Sequence, residues 1–366
     1  MTAYIILSIL VFSSSFLDLI DVHQKLRRII YVTLCLFLTL FLSTRLVGPD
    51  LDTYKAMYNI TPGIDTLLGV IPKFMAITRF EPLYLLLNGL FKTLGASFNI
   101  FMLLFSSAFC ILFFYSIKRY NYHYFIALTA FLAFGYISGF SAVRQVMAAA
   151  IFFYSLKELI AGKRLIYCLW IVVASLFHAS AFILLIFAPF GNQRFKTSSI
   201  ILLVQVSVIG VYSGIFRAIA GSILSHISFL SAEKIDAYLS GSGSFLGTVT
   251  IIWMVLLGTC LYYRDALDRL DANFNLFLNI LWFGLAVYAV SVGFGEFGRV
   301  ILYFKLSFIV LLPLLVRMFS DTAGKFAANI IIGLLCIAFF LTAIYSDTQF
   351  VVINRYIPYK TWLIHE

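Results

Sequence analysis

The sequence predicts an all-α fold: a polytopic integral membrane bundle of about 10–12 membrane segments, some of them broken or re-entrant. Three observations predict this class. Of the 366 residues, 62% are hydrophobic. Only 11% are charged, whereas a soluble domain needs roughly a quarter to cover its surface. The apolar runs are also longer than the roughly ten-residue alternating strands of an outer-membrane barrel, so helices are expected to span the bilayer.

The apolar runs follow one another along the whole chain. A helix needs roughly 17 to 25 apolar residues to span a bilayer. Runs of this kind, or nearly so, occur at about 2–17, 29–44, 98–117, 124–140, 143–160, 165–190, 199–220, 246–263, 274–293, 299–318 and 326–345. The interval 82–95 is too short to span by itself. Because no internal repeat or linker interrupts the series, residues 1–366 are predicted to form a single integral membrane domain.

The short loops predict the orientation, because Lys and Arg collect on the cytoplasmic side. Six short loops hold most of the tight basic clusters: Lys25/Arg27/Arg28, Lys118/Arg119, Lys157/Lys163/Arg164, Arg194/Lys196, Arg264/Arg269 and Arg317/Lys325. If all six are inside, the external segments are the loops at about 45–81, 139–144, 221–245 and 293–298 and the tail 346–366. The run 165–190 must then enter and return as a helical hairpin with His178 near its tip. The alternative is a straight crossing that moves Arg194 and Lys196 outside.

Several function classes lose support from what the chain lacks. The net charge of +10 suggests nucleic-acid binding, but there is no contiguous basic block, and topology explains the excess. The five cysteines all lie inside apolar runs without a CxxC pair, which is typical of buried apolar residues. There is no Walker A loop, HExxH or GxSxG motif. Asp50 and Asp52 alternate without a third carboxylate at binding spacing, so no metal and no cofactor are predicted.

Two arginines are predicted to face the external side. Arg144-Gln145 begins a span, and an arginine at the membrane edge normally faces a partner or a polar cavity. Its planar fork suits phosphate oxygens, and a helix N-terminus adds amide donors. Arg299 follows the glycine-rich string 293–298. Alternatively, Arg144 only snorkels to the interface, and Arg299 pairs with Glu296 at i and i+3.

His178 lies in an apolar run between Phe177 and Ala179-Ser180. A titratable group within the membrane is a functional candidate, and an imidazole can accept a hydroxyl proton or donate to phosphate. Ser180 is on another helical face, but at a helix break it can reach the same cavity. A satisfied structural histidine is the alternative.

Polar and aromatic residues mark both ends of the first external loop. Arg45, Asp52 and Tyr54 open it, and Glu81 and Tyr84 close it. Carboxylates accept hydrogen bonds from sugar hydroxyls, and aromatic rings pack on sugar faces. This pattern suggests a sugar-binding surface or a catalytic base. A solvated loop, with Glu81 as a favourable anion at a helix start, is the alternative.

Four short motifs, in this order, resemble the EpsG family of Wzy-type polysaccharide polymerases. They are Arg45…Gly48…Asp52…Tyr54, Glu81-Pro82-Leu83-Tyr84, Arg144-Gln145…Ala148 and Phe177-His178-Ala179-Ser180-Ala181. The resemblance runs from about residue 30 to the tail, where Tyr356-Ile357-Pro358-Tyr359 is also similar. Leu83 stands where the family usually has glycine.

The resemblance implies a polymerase that joins undecaprenyl-diphosphate-linked oligosaccharide repeat units into O-antigen, capsule or exopolysaccharide on the outer face of the plasma or inner membrane. It implies a fold similar to membrane-embedded glycosyltransferases of the GT-C type. The partners would be a lipid-linked glycan donor and acceptor in the bilayer and a chain-length regulator, without nucleic acid. The implied site residues are His178, Glu81 or Asp52 as the base; Arg144, Arg299 and Arg45 for the diphosphate; and Gln145, Tyr54, Tyr84, Ser180 and Glu296 for the substrate.

Three other functions remain open from the residues. A flippase or other transporter of lipid-linked glycans would share the hydrophobicity and the membrane cations, but it is expected to show repeated halves. A membrane acyltransferase would use a histidine with a nearby Asp or Asn, which His178 lacks in sequence. An O-antigen ligase performs nearly the same chemistry as a polymerase, and the residues do not separate the two.

Overall fold

A computed structural model of the protein describes residues 1–216, 218, 247–291, 300–346 and 355–364. The predicted external loop 221–245, Glu296, Arg299 and part of the tail 346–366 lie outside the described residues. The all-α class is confirmed: the protein is 79% helical, and the described residues form no strand. The helices are α1 Thr2–Ser15, α2 Gln24–Ser43, α3 Leu51–Ile60, α4 Ile64–Thr78, α5 Pro82–Thr93, α6 Phe98–Tyr120, α7 Tyr124–Phe134, α8 Val143–Ile160, α9 Arg164–Ser175, α10 Phe187–Phe190, α11 Thr197–Tyr212, α12 Thr248–Tyr262, α13 Arg264–Leu270, α14 Phe274–Ser291, α15 Ile301–Lys305, α16 Phe308–Arg317 and α17 Thr322–Tyr345.

The described residues contain four helices that are long and apolar enough to cross a membrane: α2, α6, α14 and α17. Two bent pairs, α3 with α4 at 117° and α12 with α13 at 80°, raise the number to six if each is one broken span. This is fewer than the predicted segments because several apolar runs are divided into shorter helices, such as α7 and α9. The protein is therefore polytopic. The interval 45–81, predicted to be an external loop, contains the helices α3 and α4, and its position outside the membrane stays a prediction.

Helix α2 shows why the protein needs a bilayer. Its large apolar residues divide between two faces. One face is buried in the protein and consists of Tyr31, Leu34, Leu38 and Leu42. The other is exposed and consists of Leu26, Ile29, Val32, Leu36 and Leu40. A continuous apolar face of this length is unfavourable in water and favourable against lipid. At 20 residues, α2 is about 30 Å long, enough to cross the hydrocarbon core.

The chain divides into two compact units, and the first consists of Met1–Pro189 and Leu312–Glu366. Its centre is α7, in which every residue after Tyr124 is buried. Helix α7 packs against α1 and α17, and α8 packs against α6 and α9. Three consecutive alanines, 148–150, lie fully buried in α8 and let neighbouring backbones approach closely. This unit contains all the described candidate site residues.

The run 165–190 forms the predicted helical hairpin. Helix α9 ends at Ser175, and a 3₁₀ helix, Ala179–Ile186, follows an extended His178 with φ −155° and ψ 113°. The Tyr167 hydroxyl donates to the Leu184 carbonyl at 2.7 Å. In one continuous helix these residues would lie about 25 Å apart, so the chain must reverse near His178. The chain reversal is confirmed, and its depth in the bilayer remains a prediction.

The second unit is Phe190–Leu311. Its core is α14, which packs against α11 and α12. Trp253 is fully buried and donates from its indole nitrogen to the Leu281 carbonyl at 2.9 Å. Gly284 allows this packing, because a Cβ there would lie 2.2 Å from the Cβ of Phe304. That both units form one integral membrane domain stays a prediction.

Candidate functional site

Three helix starts meet in the first unit, and their residues form what we name the Glu81 cluster: Glu81, Arg144, His178, Ala179 and Ser180. Glu81 precedes α5 and its N-terminal proline. Arg144 is the second residue of α8, and Ala179 begins the 3₁₀ helix of the hairpin. Helix N-termini carry partial positive charge and unpaired amide donors. An acidic side chain is therefore favoured at this point of convergence.

Glu81 uses both carboxylate oxygens to join these elements. Its Oε2 accepts a charge-assisted hydrogen bond from the Nη1 of Arg144, and its Oε1 accepts from the backbone amide of Ala179 at 3.2 Å. A backbone hydrogen bond from Leu83 to the Leu176 carbonyl, 3.1 Å long, ties α5 to the same hairpin. The side chains of Arg144 and Glu81 remain 17% and 16% exposed. The ion pair is thus at the edge of the protein interior, within reach of a ligand.

Aromatic rings support Arg144 from the protein side. The guanidinium carbon lies 3.9 Å from the ring centroid of Phe80, a cation–π geometry. Phe80 stacks on Tyr84 at 5.7 Å, and Tyr54 lies close enough to Arg144 to interact with it electrostatically. Tyr54 and Tyr84 are buried in this structure, where they position the arginine, and their binding of substrate stays a prediction. Sequence reasoning missed Phe80, whose only signal is its place beside Glu81.

His178 and Ser180 are in direct contact. The Nδ1 of His178 lies 2.6 Å from the Oγ of Ser180. Both residues are half-buried, and Ala179 between them is exposed. The break in the helix produces this contact, because an extended residue brings the side chains of residues i and i+2 to one side, as predicted for such a break. The backbone amide of Ala179 on Glu81 holds the pair next to the ion pair.

Asp52 and Arg45 do not belong to the Glu81 cluster. They line a separate cavity of about 180 Å³, which we name the Arg45 pocket. Its walls are Ser43, Arg45, Leu46, Leu51, Asp52, Lys55, Phe98, Asn99, Met102 and Trp362. Of the three carboxylate and imidazole candidates for the base, only Glu81 and His178 are brought together.

Arg45 is a buried cation without an acidic partner in the described part of the chain. It is 3% exposed, and its Nη1 donates to the Leu42 carbonyl at 2.6 Å. Its Nε and Nη2 have no hydrogen-bond partner. No carboxylate of the described residues lies within 4.0 Å of its nitrogens. Burial lowers the pKa of Arg45 to about 10, which still leaves it charged at neutral pH.

The described part of the C-terminal tail, residues 355–364, forms one wall of this pocket. The backbone amide of Leu46 donates to the Lys360 carbonyl at 2.8 Å, and that of Trp362 donates to the Thr44 carbonyl at 3.0 Å. Gly48, at φ +134°, donates to the Arg355 carbonyl at 2.9 Å. A Cβ at Gly48 would lie 2.1 Å from the Phe140 carbonyl oxygen, so this close approach requires glycine. Sequence reasoning missed Trp362, which is remote in the chain.

Of the remaining predicted site residues, one is buried and two lie outside the described residues. Gln145 is buried beside Arg144. Arg299 and Glu296 lie outside the described residues. Within the described ranges, no three His, Cys, Asp or Glu side chains are grouped as metal ligands. The geometry therefore offers an ion pair with a His–Ser pair beside it, and a separate pocket that contains a buried cation.

Comparison with known proteins gives the family. A sequence model of the EpsG family matches residues 28–361. No curated protein and no solved structure matches the chain. The family match covers nearly the whole chain. It includes the Glu81 cluster and every lining residue of the Arg45 pocket except Trp362. This membrane protein therefore belongs to the EpsG family, a family of Wzy-like polysaccharide polymerases.

Proposed function

We propose that the protein joins oligosaccharide repeat units carried on undecaprenyl diphosphate into a long polysaccharide on the outer face of the plasma or inner membrane. One observation supports the assignment of the reaction: the His178–Ser180 pair is held beside the Glu81–Arg144 ion pair. A base next to an arginine is what transfer of a glycan from a diphosphate requires. The family membership supports the substrate class.

The reaction is a displacement at the anomeric carbon of the donor glycan. The hydroxyl oxygen of the acceptor glycan forms a bond to that carbon, and the bond from the carbon to the diphosphate oxygen breaks. Undecaprenyl diphosphate leaves with the bonding electrons. His178 takes the hydroxyl proton on Nε2, while its Nδ1–H donates to the Oγ of Ser180, which selects the tautomer. The activated leaving group makes a nucleotide unnecessary.

Glu81 and Arg144 have different tasks in this mechanism. Both oxygens of Glu81 are already engaged, so Glu81 positions Arg144 and the hairpin, and His178 is the better base. Arg144 presents its other donors to the departing diphosphate, whose charge grows as the bond breaks. We propose Arg299 as a second cation for the same group. Acceptor and donor glycans approach from outside the membrane, and their prenyl chains from the bilayer.

Deletion of the gene tests this function. We expect cells to retain single repeat units on lipid, or single-repeat surface glycan, while the ladder of longer chains disappears. The wild-type gene on a plasmid should restore the ladder. A transporter would instead leave the lipid-linked units inside the cell, and a ligase would leave long chains on lipid that do not reach their final acceptor. Either pattern would contradict the polymerase assignment.

Cysteine labelling tests the side on which the site faces. In a protein whose five cysteines are replaced, Ala179→Cys should react with an impermeant thiol reagent added outside the cell. Lys163→Cys, at the start of α9 in the same hairpin, is the matched control and should react only after permeabilisation. Because both positions are exposed, a difference between them reports the side of the membrane. Labelling of position 163 from outside would overturn the orientation.

A further inference from the structure

We propose that the Arg45 pocket is a binding site for a small oxyanion, a phosphate or carboxylate group, separate from the Glu81 cluster. The sequence analysis placed Arg45 with Arg144 on one diphosphate, but the structure places the two arginines in different surroundings. The new elements are the participation of Ser43, Lys55 and Trp362 and the size of the group that the pocket accepts. The proposal does not depend on the polymerase activity.

The charge of the pocket is the first argument. A buried guanidinium is strongly unfavourable unless it is paired and hydrogen-bonded. Arg45 has neither a carboxylate within 4.0 Å among the described residues nor a partner for two of its nitrogens. Lys55 adds a second cation, and Asp52 adds one anion. The pocket therefore has a net charge of about +1, which an entering anion would neutralise.

The hydrogen-bonding groups of the pocket are the second argument. Besides Arg45, two of its side chains have a buried polar atom without a partner: the Oγ of Ser43 and the indole Nε1 of Trp362. The indole can only donate, and the hydroxyl can donate. Buried polar groups in folded proteins are normally satisfied, so each exception needs an explanation. A ligand with several acceptor oxygens would satisfy all of them at once.

The volume limits the ligand to a small anion. The cavity measures about 180 Å³. Pockets for whole small molecules usually measure roughly 300–1,000 Å³. The pocket therefore accommodates a phosphate, a diphosphate or the carboxylate end of an acidic sugar, but not an oligosaccharide.

The pocket and the Glu81 cluster are adjacent but chemically distinct. Tyr54 lies within electrostatic range of both Arg45 and Arg144. Arg144 already has Glu81 as its counter-ion. Arg45 has no counter-ion among the described residues, which makes it the stronger site for an anion from outside the chain.

Calorimetric titration of the purified full-length protein in detergent tests the proposal. The probes are inorganic phosphate, pyrophosphate and glucuronate, at ionic strength held constant with sodium chloride. We expect saturable one-to-one binding of at least one probe. Preference for pyrophosphate or phosphate would identify a phosphate group as the ligand, and preference for glucuronate a carboxylate.

Variants locate the binding. Lys55→Gln and Trp362→Phe each remove one donor and should weaken binding about tenfold. Asp52→Asn removes a repulsive charge and should tighten it. Lys73→Gln and Trp170→Phe are the matched controls outside the pocket and should bind like the wild type. Arg45→Met should abolish binding and, without any anion, unfold at a higher temperature, because an unpaired buried cation is replaced by an apolar chain.

Three results would overturn the proposal. The first is the absence of binding for all three probes. The second is equal affinity in the wild type, Lys55→Gln and Trp362→Phe, which would show a general salt effect. The third is a lower unfolding temperature of anion-free Arg45→Met together with unchanged binding to Lys55→Gln, which would show a structural arginine. None of these results bears on the deletion phenotype, so the two proposals fail separately.

Discussion

Arg144 and Arg45 lie in the same unit of the protein and have opposite electrostatic surroundings. Arg144 sits at a helix start with a carboxylate on one side and an aromatic ring below it. Arg45 is almost completely buried, its guanidinium carbon lies 5.4 Å from the ring centroid of Phe140, and among the described residues its one hydrogen-bond acceptor is a backbone carbonyl. A paired arginine holds elements together and adds limited net charge, whereas an unpaired one attracts an anion. The comparison supports the two proposals, group transfer at the Glu81 cluster and binding of a separate anion in the Arg45 pocket.

The largest expected effect is the loss of the proposed base, and it distinguishes the catalytic step from binding in the Arg45 pocket. His178→Ala should lower polymerisation by about 10²- to 10⁴-fold, because it removes the proposed base. His178→Gln should be less severe if the residue only donates a hydrogen bond. Trp362→Phe, the matched change in the Arg45 pocket, should lower the rate by about tenfold at most. The measurement is the chain-length ladder divided by the amount of protein in the membrane. Normal activity per molecule in His178→Ala would remove it from the mechanism.

The next effect concerns the paired arginine itself. Arg144→Ala should lower polymerisation on the order of a hundredfold, equivalent to about 3 kcal/mol, because a contact that strengthens in the transition state is lost. Arg144→Lys keeps the charge without the planar fork and should keep part of the activity. Lys73→Gln on α4 controls for the loss of a positive charge outside both sites. If Arg144→Ala were poorly expressed but fully active per molecule, Arg144 would be structural.

The smallest expected effect is the coupling energy between Glu81 and Arg144, which tests their ion pair directly. A double-mutant cycle of Glu81→Gln and Arg144→Gln should give a coupling energy of about 0.5–3 kcal/mol in the free energy of unfolding. The matched cycle, Asp52→Asn and Arg45→Gln, should give less than about 0.5 kcal/mol, because no direct ion pair joins those residues. Denaturant unfolding in detergent measures both cycles. Equal coupling in the two cycles would erase the difference between the two arginines.

Much of the candidate site was visible in the sequence. The motifs around Glu81, Arg144 and His178 are short and local, and the family resemblance placed them in one site. The hairpin with His178 at its turn followed from basic clusters at both ends of a long apolar run. Residues 45–81 contain the helices α3 and α4, which the sequence analysis did not specify, and the external position of this segment stays a prediction. The structure places Arg45 and Asp52 on the Arg45 pocket and Glu81 beside Arg144, and the roles predicted for these residues stay predictions.

The sequence by itself determined that the chain is helical, lies in a membrane and belongs to this family. Hydropathy and motif order are properties of neighbouring residues, so they can be read without coordinates. Only the tertiary structure decided which charges meet. Glu81 neutralises Arg144 from 63 positions away, and Trp362 reaches the Arg45 pocket from the opposite end of the chain. Ion pairing depends on separations of a few ångströms, and helix packing and the placement of the tail set those separations.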